Sequence, residues 1–358
     1  MLKIGTRNIS TNDPVYFIAE IGSNFDGSLQ RAIDLIHLAA QSGASAVKFQ
    51  HYTAKSLISS IGFENLSGKL AHQKSWSSSV YDTYDAASLN IDWTETLSKE
   101  CEKCGVHFFT SAYSIDLADQ IEHFVPAYKV GSGDITWSQF LNHISQKNKP
   151  VILATGASKM DDVVRAHDLI RRHNDDLILL QCNTNYENTK SNFNHLNLNV
   201  LKYYSMRFPG VILGLSDHTK NHVSTLGAIA LGAKVIEKHF TDDDTRPGPD
   251  HSFALTPSQW VEMIDRSREL EASLGLPEKN IEENELGSVV VQRRSIRASK
   301  ALKKGTMISE EDITMLRPCS VAGLEPYRLS EILGKILDRN IALGEEINFA
   351  AINPTHDS

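Results

Sequence analysis

Short apolar runs recur along the first 241 residues, and segments with helical periodicity separate them. Each run is six to eight residues long and rich in Val, Ile, Leu and Phe, which is typical of a buried strand. The runs occupy residues 15–22, 46–51, 106–113, 128–133, 151–156, 177–184, 211–218 and 234–241. Strands that alternate with helices predict an α/β protein with a parallel sheet. Eight such units predict a closed (β/α)8 TIM barrel, and an open doubly wound sheet is the alternative.

The segments between the runs carry the signals of helix starts and stops. The apolar-periodic segment 29–43 ends in Gly43, a residue that favours a helix end. Thr256 and Pro257 are suited to the N-cap and first position of a last helix, and Gly275 follows its end. The barrel is therefore expected to end near residue 275.

Polar side chains cluster where the apolar runs end. In a barrel these ends meet at one face, where active sites are built. Such convergence favours an enzyme. The polar residues at these ends are Glu20, Lys48, Gln50, Ser111, Lys129, Ser132, Thr155, Asn183 to Tyr186, Ser216 to His218 and Glu237 to His239.

One connection is longer than the others. Residues 52–92 separate the second strand from its helix, and the stretch 72–88 is rich in Ser and aromatic residues. Loops of this length in a compact domain are usually lids or binding elements. We expect the segment to cover part of the active-site face.

The pattern changes after the predicted barrel, which we assign to residues 1–275. Residues 276–292 are charged and contain Pro and Gly, as in a linker. Residues 293–358 read as short strands and turns without the βα alternation. We expect a small second domain that leans on another surface, because domains of this size are marginal alone.

Composition excludes several classes of protein. The chain has 358 residues, 41% of them hydrophobic, and a formal net charge of −8, which argues against a nucleic-acid surface. No apolar run is long enough for a membrane span, and the first ten residues lack the apolar core of a signal peptide. Four cysteines, at 101, 104, 182 and 319, are too few for a disulfide framework, and the CxxC pair lies in a helical segment. A cytoplasmic protein is expected.

With these residues in place, the sequence resembles the sialic acid synthase family, which includes N-acetylneuraminate, legionaminic acid and pseudaminic acid synthases. The matching motifs are AEIGSNFDGSL, GASAVKFQ, YKVGSGD, ATG, GLSDHT, EKHFTDDDTRPGPDH and, in the tail, LKKGTMIS, LRP and LGK. The resemblance implies a TIM barrel followed by an antifreeze-like (SAF) domain. It also implies condensation of phosphoenolpyruvate with an N-acetylated aldose to a nine-carbon 2-keto sugar acid and phosphate. The implied assembly is a homodimer in which each SAF domain caps the barrel of the partner.

A metal site is expected at the last two strands. His218 and His239 end adjacent predicted strands, which lie about 4.8 Å apart in a sheet. Two imidazoles there can bind one first-row metal and leave positions for water and the sugar aldehyde. The resemblance implies a divalent ion, most often Mn²⁺, with Mg²⁺ and Co²⁺ as alternatives. The ion would polarise the aldehyde carbonyl.

Phosphoenolpyruvate carries several negative charges, so its pocket needs cations and hydrogen-bond donors. Lys48 and Lys129 are expected to supply charge, and the resemblance supports both. The hydroxyls are assigned to Ser111, Ser132, Ser216 and Thr184, with an Asn near Thr184 as the alternative in the sixth strand. Glu20 is expected to handle the proton of the attacking water, Lys129 and the two histidines complete the catalytic set, and Gln50 is assigned to substrate hydrogen bonding.

The acceptor sugar is the least defined part of this hypothesis. Tyr186, Asp250 and Arg317 are the candidates to bind it, the last from the partner subunit. The chain departs from the family pattern at Phe25, Ala154, the CNTNYEN segment and LRPCSVAG. N-acetylmannosamine and a 2,4-diacetamido-trideoxyhexose are therefore both credible acceptors.

The sequence leaves two other functions open. One is a Schiff-base aldolase on the same barrel, with Lys129 or Lys238 as the nucleophile. The other is a sugar-binding relative that has lost its chemistry.

Overall fold

The structure is a computed structural model that describes residues 2–66, 73–74, 76–187 and 189–352. The chain divides after Gly275 into two compact units, each described by itself below. The division falls at the residue where the barrel was predicted to end.

The first unit is a closed barrel of eight parallel strands, which confirms the predicted fold and removes the open-sheet alternative. The last strand of the barrel pairs in parallel with the first, and His239 lies opposite Glu20 in this pairing. Strands that are neighbours in the barrel are also consecutive in the chain, and the last strand closes on the first. Its strands are β3 (Tyr16–Glu20), β4 (Ala46–His51), β5 (His107–Ala112), β6 (Tyr128–Val130), β7 (Val151–Ala154), β8 (Leu177–Cys182), β9 (Ile212–Asp217) and β10 (Val235–His239).

Eight helices follow these strands and pack around them. The last one starts after Thr256, whose backbone N–H donates to Gln259 Oε1 at 3.0 Å, and ends at Gly275, whose φ is +55°. Both ends were predicted from the sequence. The helices are α1 (Leu29–Gln41), α5 (Thr94–Lys103), α6 (Ile115–Ile121), α7 (Ser138–Ser145), α8 (Met160–Arg171), α9 (Val200–Arg207), α10 (Val223–Ala230) and α11 (Pro257–Leu274).

Alternate strand residues face the inside of the barrel and the surrounding helices. The inward set is a separate apolar cluster that includes Ile18, Phe109 and Leu180. A hairpin of β1 (Leu2–Ile4) and β2 (Arg7–Ile9) joins this cluster. The interior is therefore a packed core below the strand ends.

The long connection after β4, which was expected to cover part of the active-site face, contains short helices. It contains α2 (Ala54–Leu57), α3 (Ser60–Glu64) and α4 (Val80–Ala87). Polar N-caps start them: Ser79 Oγ, for example, accepts from Asp82 N at 3.0 Å. Within the Ser- and aromatic-rich stretch, His72 and Ser75 lie outside the described residues.

The second unit contains the predicted linker and the small domain. The linker region includes a helix, α12 (Leu286–Gln292), which the charged composition did not predict. Beyond it, β11 (Ser295–Ala298) pairs antiparallel with β12 (Ile313–Leu316) over a compact apolar cluster. Residues 353–358 lie outside the described part of the chain. Among all the described residues, no helix combines the length and apolar character that crossing a membrane requires.

We predict that Gly214→Ala destabilises the barrel by more than about 2 kcal/mol, because the added methyl group overpacks a core position. A Cβ at Gly214 in β9 would lie 2.2 Å from the Val235 carbonyl oxygen and 2.4 Å from Leu180 Cδ2. Urea unfolding followed by Trp fluorescence measures the change, since all four Trp lie in the first unit. Gly133→Ala is the control, with open space around its Cβ. Equal stability of the two variants would contradict this packing.

We predict a pH-dependent loss of stability from His51. Its ring nitrogens bond Thr110 and Thr94 at 2.7 Å each, and burial lowers its pKa from 6.5 to about 4. The folded protein holds His51 neutral, so this stability is complete above pH 6.5 and is lost as the pH falls toward 4. The loss should reach roughly 3 kcal/mol.

The measurement is the unfolding free energy at pH 7, 6 and 5 for the wild type and His51→Gln. The variant should show a shallower pH dependence, whereas replacement of the exposed His173 by Gln should leave the slope unchanged. A wild-type slope in His51→Gln would refute the assignment.

Candidate active site

A cavity of about 390 Å³ opens at the carboxyl ends of the barrel strands. It lies where barrel active sites are built, and the predicted site residues of the barrel line it together. They are Glu20, Lys48, Gln50, Ser111, Lys129, Ser132, Thr184, Tyr186, Ser216, His218, His239 and Asp250.

Successive residues of a strand point to opposite faces of the sheet, so the charged residues at the ends of β9 and β10 divide between the cavity and the side of the helices. Glu237 and His239 line the cavity, whereas Lys238 between them points to the surrounding helices. Lys238 Nζ lies 2.5 Å from Asp217 Oδ2 and is buried. The barrel fold thus places Lys238 away from the cavity, and the hypothesis of Lys238 as a Schiff-base nucleophile was wrong.

Two buried ion pairs form the floor of the cavity. Lys48 pairs with Glu20, and Lys129 Nζ lies 3.3 Å from Glu237 Oε1. Only 2% of Lys48 and 3% of Lys129 are exposed, so water screens neither charge. Burial lowers the pKa of Lys48, but Glu20 and Glu237 outweigh it and raise the pKa overall. The floor therefore holds cations that are almost completely buried, where they interact more strongly with an anion than exposed lysines do.

Glu20 and Glu237 have opposite electrostatic environments. Burial raises the pKa of Glu20, although Lys48 opposes the shift. Burial also acts on Glu237, but Lys129 and Lys48 outweigh it and hold the pKa of Glu237 low. Gln50 Nε2 donates to Glu20 Oε1 at 2.7 Å and fixes the carboxyl group. Carboxyls whose pKa values are pushed apart are typical of acid–base sites.

Hydroxyl groups surround the lysines. Ser111 Oγ lies 3.4 Å from Lys48 Nζ, and Ser216 Oγ donates to Glu237 Oε1 at 3.2 Å. Thr184 Oγ1 is buried and has no hydrogen-bond partner among the described residues. A buried hydroxyl without a partner is costly and indicates that a ligand completes its bonding.

Gly156 leaves the space in which this hydroxyl lies. A Cβ there would meet Thr184 Oγ1 at 2.0 Å and Ser132 Oγ at 2.9 Å. The Gly156 N–H donates to Ser132 Oγ at 2.9 Å. Asn183 and Asn185 instead bond to backbone groups of their own loop. Thr184, rather than Asn183 or Asn185, therefore lines the cavity after the sixth barrel strand.

His218 and His239 face each other with ring centroids 5.4 Å apart. His218 Nδ1 lies 3.0 Å from the Asn183 carbonyl oxygen, which can only accept, so Nδ1 carries a proton. Burial lowers the pKa of His218, but Cys182 and the Asn183 carbonyl outweigh it and raise the pKa overall. His239 Nδ1 is buried without a partner in the described structure, and burial lowers the pKa of this imidazole.

Two imidazoles that face one cavity are ligands that suit a divalent ion of the first transition row. No group of three or more His, Cys, Asp or Glu that could hold an ion occurs among the described residues. A metal held by His218 and His239 stays a prediction.

Cys182 is a site residue that sequence reasoning missed. It ends β8 and lines the cavity together with His218 and Ser132. Burial raises the pKa of the Cys182 thiol, but the neighbouring His218 and Ser132 outweigh it and lower the pKa overall. The cysteines were considered only as disulfide partners, although the position of Cys182 at a strand end could have revealed it.

Asp250 and Tyr186 line the same cavity as the two imidazoles. Asp250 Oδ2 accepts from Ser23 N at 3.0 Å and from Ser23 Oγ at 2.9 Å. The Tyr186 ring packs on His218, with centroids 4.3 Å apart. Both residues are placed to contact a molecule that lies next to the two imidazoles.

The departure at Phe25 has a structural explanation. Phe25 is buried against Phe49 and Trp93 at 6.4 and 6.3 Å between centroids. The next residue, Asp26, accepts from Arg246 Nη2 and His251 Nε2 at 2.9 Å each. These bonds join the loop after β3 to the loop that carries Asp250.

Arg317 is not brought to this cavity by the barrel unit. It belongs to the second unit, where it follows β12 and is exposed. Its role in acceptor binding stays a prediction.

A closed parallel barrel with a charged cavity at its strand ends defines the class of protein, a TIM-barrel enzyme fold with a small C-terminal domain. The model of the NeuB family matches residues 35–279, and the SAF domain matches residues 293–352. The chain therefore belongs to the NeuB family, and the resemblance drawn from the motifs is confirmed.

Similar proteins extend over nearly the whole chain. The N,N'-diacetyllegionaminic acid synthase of Legionella pneumophila is 34% identical and covers 92% of each chain. The pseudaminic acid synthase of Campylobacter jejuni is 31% identical over 95% of this chain and 97% of its own. The crystal structure of the Bacillus subtilis spore coat polysaccharide biosynthesis protein SpsE matches with a TM-score of 0.64 at 28% identity, covering 99% of both chains.

We predict that Thr184→Val weakens the binding of phosphoenolpyruvate by about five- to tenfold, the effect of losing one hydrogen bond of roughly 1 kcal/mol. Valine keeps the shape of the side chain and removes only the hydroxyl. Isothermal titration with phosphoenolpyruvate alone provides the dissociation constant. Thr189→Val is the control, because Thr189 is exposed on the same loop. Unchanged affinity in Thr184→Val would show that this hydroxyl does not bind the anion.

Proposed function

We propose that this protein condenses phosphoenolpyruvate with an N-acetylated aldose to form a nine-carbon 2-keto sugar acid and phosphate. The observation that carries the proposal is the cavity floor, where two buried ammonium groups lie beside paired imidazoles. The named relatives are synthases of acidic sugars of this kind. We place the protein among the enzymes that transfer alkyl groups.

The lysines and hydroxyls would hold phosphoenolpyruvate. Lys48 and Lys129 offset its charge, and Thr184, Ser132, Ser111 and Ser216 donate hydrogen bonds. Both lysines already pair with carboxylates. The carboxylates offset the cost of burying the two ammonium groups in the folded protein, and a bound anion would interact with the same ammonium groups. Glu237 would face the positive charge that develops at C2 of the enol.

C3 of phosphoenolpyruvate bonds to the aldehyde carbon as the C2–C3 and C=O π bonds break, and the aldehyde oxygen takes up a proton to become a hydroxyl. Water then adds to C2 and loses a proton. The bond from C2 to the phosphate oxygen breaks, so that a 2-keto group forms and phosphate leaves. Glu20 would accept the proton of the water, because a carboxyl with a raised pKa exchanges protons near neutral pH. His218 and His239 would hold a divalent metal, Mn²⁺ or alternatively Mg²⁺ or Co²⁺, and such an ion supplies Lewis-acid polarisation of a carbonyl oxygen.

The acceptor would lie between the imidazoles and Asp250. Asp250 and Tyr186 would bind its polar groups, and Gln50 would orient Glu20 and the substrate. Arg317 would reach the N-acetyl oxygen from the partner subunit of a homodimer in which the SAF domain caps the barrel. A cytoplasmic location completes the proposal.

A Schiff-base aldolase is the second candidate. Of its two lysines, Lys129 is the one that lines the cavity. A Schiff-base lysine is activated by desolvation or by a neighbouring cation. Lys129 instead faces the carboxylate of Glu237 at 3.3 Å, which favours ligand binding over nucleophilic attack.

We predict release of phosphate from phosphoenolpyruvate that depends on an N-acetylated aldose and on a divalent metal. A chelator should abolish the release, and added Mn²⁺ should restore it. Lys129→Met should lower kcat/KM by at least about a hundredfold, the loss expected when a buried charge partner is removed. Release of phosphate is measured with a panel of acceptors.

The same assay separates the alternatives. Chelator-resistant activity with borohydride trapping of substrate on Lys129 would establish the aldolase. Binding of phosphoenolpyruvate without turnover on any acceptor would establish a non-catalytic relative, and either result would overturn the proposal.

A further inference from the structure

Four buried polar residues form one cluster behind the two imidazoles, where the ends of β9 and β10 meet α10. We call this cluster the turn clamp. All four belong to the described part of the chain, and the residues that line the cavity do not include them. Each is at most 5% exposed. The turn clamp consists of Asp217, Thr219, Ser224 and Lys238.

The two imidazoles are fixed to the backbone in different ways. His239 lies within the sheet pairing of β10 with β3, and its carbonyl oxygen accepts from Leu255 N at 2.9 Å. His218 instead follows the last residue of β9, and the pairing of β9 with β10 ends at Asp217 and Lys238. The backbone position of His218 therefore depends on the turn that begins at Asp217.

The turn clamp holds both residues that flank His218. Asp217 Oδ1 accepts from the backbone N–H of Thr219 at 3.0 Å and from its hydroxyl at 2.9 Å. Lys238 Nζ donates to Asp217 Oδ2 at 2.5 Å and to the Thr219 carbonyl oxygen at 2.6 Å. Ser224 Oγ, on α10, also donates to Asp217 Oδ2. One ammonium group thus bonds the residue before His218 and the residue after it.

The same ammonium group ties the turn to the other imidazole. Lys238 immediately precedes His239, and its backbone is paired with both neighbouring strands. Its side chain reaches from this fixed position to the turn that carries His218. The spacing of the two rings, 5.4 Å between centroids, is therefore linked to one hydrogen-bonded side chain.

Stability alone is a weak explanation for a charge pair buried this deeply. Replacement of a buried ion pair by apolar residues of similar volume is often neutral or stabilising, because burying the charges is costly. Hydrogen bonds between charged groups are short and strong, so such a pair is suited to fixing a geometry. Residues that orient metal ligands from behind are typical of metal sites.

We propose that the turn clamp is a positioning device that sets the spacing of His218 and His239 for one divalent ion. The inference rests on the proposed function, in which the two imidazoles hold that ion. Asp217 and Lys238 act through the backbone and are positioning residues. Without the clamp, both imidazoles remain in the chain, but ordering the turn then opposes the binding of the ion. The affinity for the metal falls, whereas the lysines of the cavity floor are unaffected.

The experiment measures the dissociation constant of Mn²⁺ from the EPR signal of free Mn²⁺, without substrates. The variant carries Asp217→Asn and Lys238→Met together, which removes both charges and leaves no uncompensated one. We expect the affinity for Mn²⁺ to fall at least about tenfold, the usual effect of losing a partner that orients a metal ligand. Isothermal titration with phosphoenolpyruvate, without metal, should give the dissociation constant of the wild type, because Lys48 and Lys129 are unchanged.

A milder pair of variants provides a matched comparison on α10. Ser224→Ala removes the buried hydroxyl that bonds Asp217, and Thr225→Val removes the adjacent buried hydroxyl, which bonds Met263 Sδ at 3.4 Å. Ser224→Ala should weaken the binding of Mn²⁺ about threefold, since the other partners of the carboxylate still hold it. Thr225→Val should bind Mn²⁺ as the wild type does. Melting temperatures verify that each variant is folded.

The outcomes separate the inference from the proposed function. Wild-type affinity for Mn²⁺ in the folded double variant would overturn the inference alone, as would a parallel loss of affinity for Mn²⁺ and phosphoenolpyruvate. If the double variant does not fold, equal affinities of Ser224→Ala and Thr225→Val for Mn²⁺ would overturn it. Absence of Mn²⁺ binding to the wild type would overturn the metal role in the proposed function and the inference with it.

Discussion

The register of β10 against β3 is the constraint on which the site depends. It closes the barrel and places His239 opposite Glu20, residues that are more than two hundred positions apart in the chain. Because successive residues of a strand face opposite sides, this register also decides which charges enter the cavity. Glu237 and His239 face inward, and Lys238 joins Asp217 behind the sheet. A shift of one residue would exchange the two sets.

Charge balance explains how the floor of the cavity can hold two buried lysines. An isolated buried ammonium is costly, and each lysine here has a carboxylate partner. The two pairs are not equivalent, because Glu237 lies among several cations while burial dominates at Glu20. One carboxyl thus keeps its charge and the other exchanges a proton more readily. Because of this asymmetry, the four residues of the two ion pairs can bind an anion through the lysines and exchange a proton through Glu20.

Much of the barrel could be predicted because its signals are local. Apolar runs, the Thr256–Pro257 helix start and the Gly275 stop each follow from a few neighbouring residues. The helix in the linker was missed, since its charged and Gly-containing surroundings resemble a loop. The strand-end position of Cys182 was visible in the sequence, but its neighbours and the unpartnered hydroxyl of Thr184 depend on how distant segments meet. No pattern along the chain encodes such contacts, although strand alternation would have separated Lys238 from Glu237.

The central claim is that one cavity holds the enol phosphate and the metal together. The most direct measurement is the ³¹P relaxation rate of phosphoenolpyruvate bound to the protein in the presence of Mn²⁺ and without acceptor. A variant with both His218→Ala and His239→Ala is the control. The account predicts strong paramagnetic relaxation in the wild type and its loss in the variant, with phosphoenolpyruvate still bound. Equal relaxation in both proteins while phosphoenolpyruvate remains bound would contradict it.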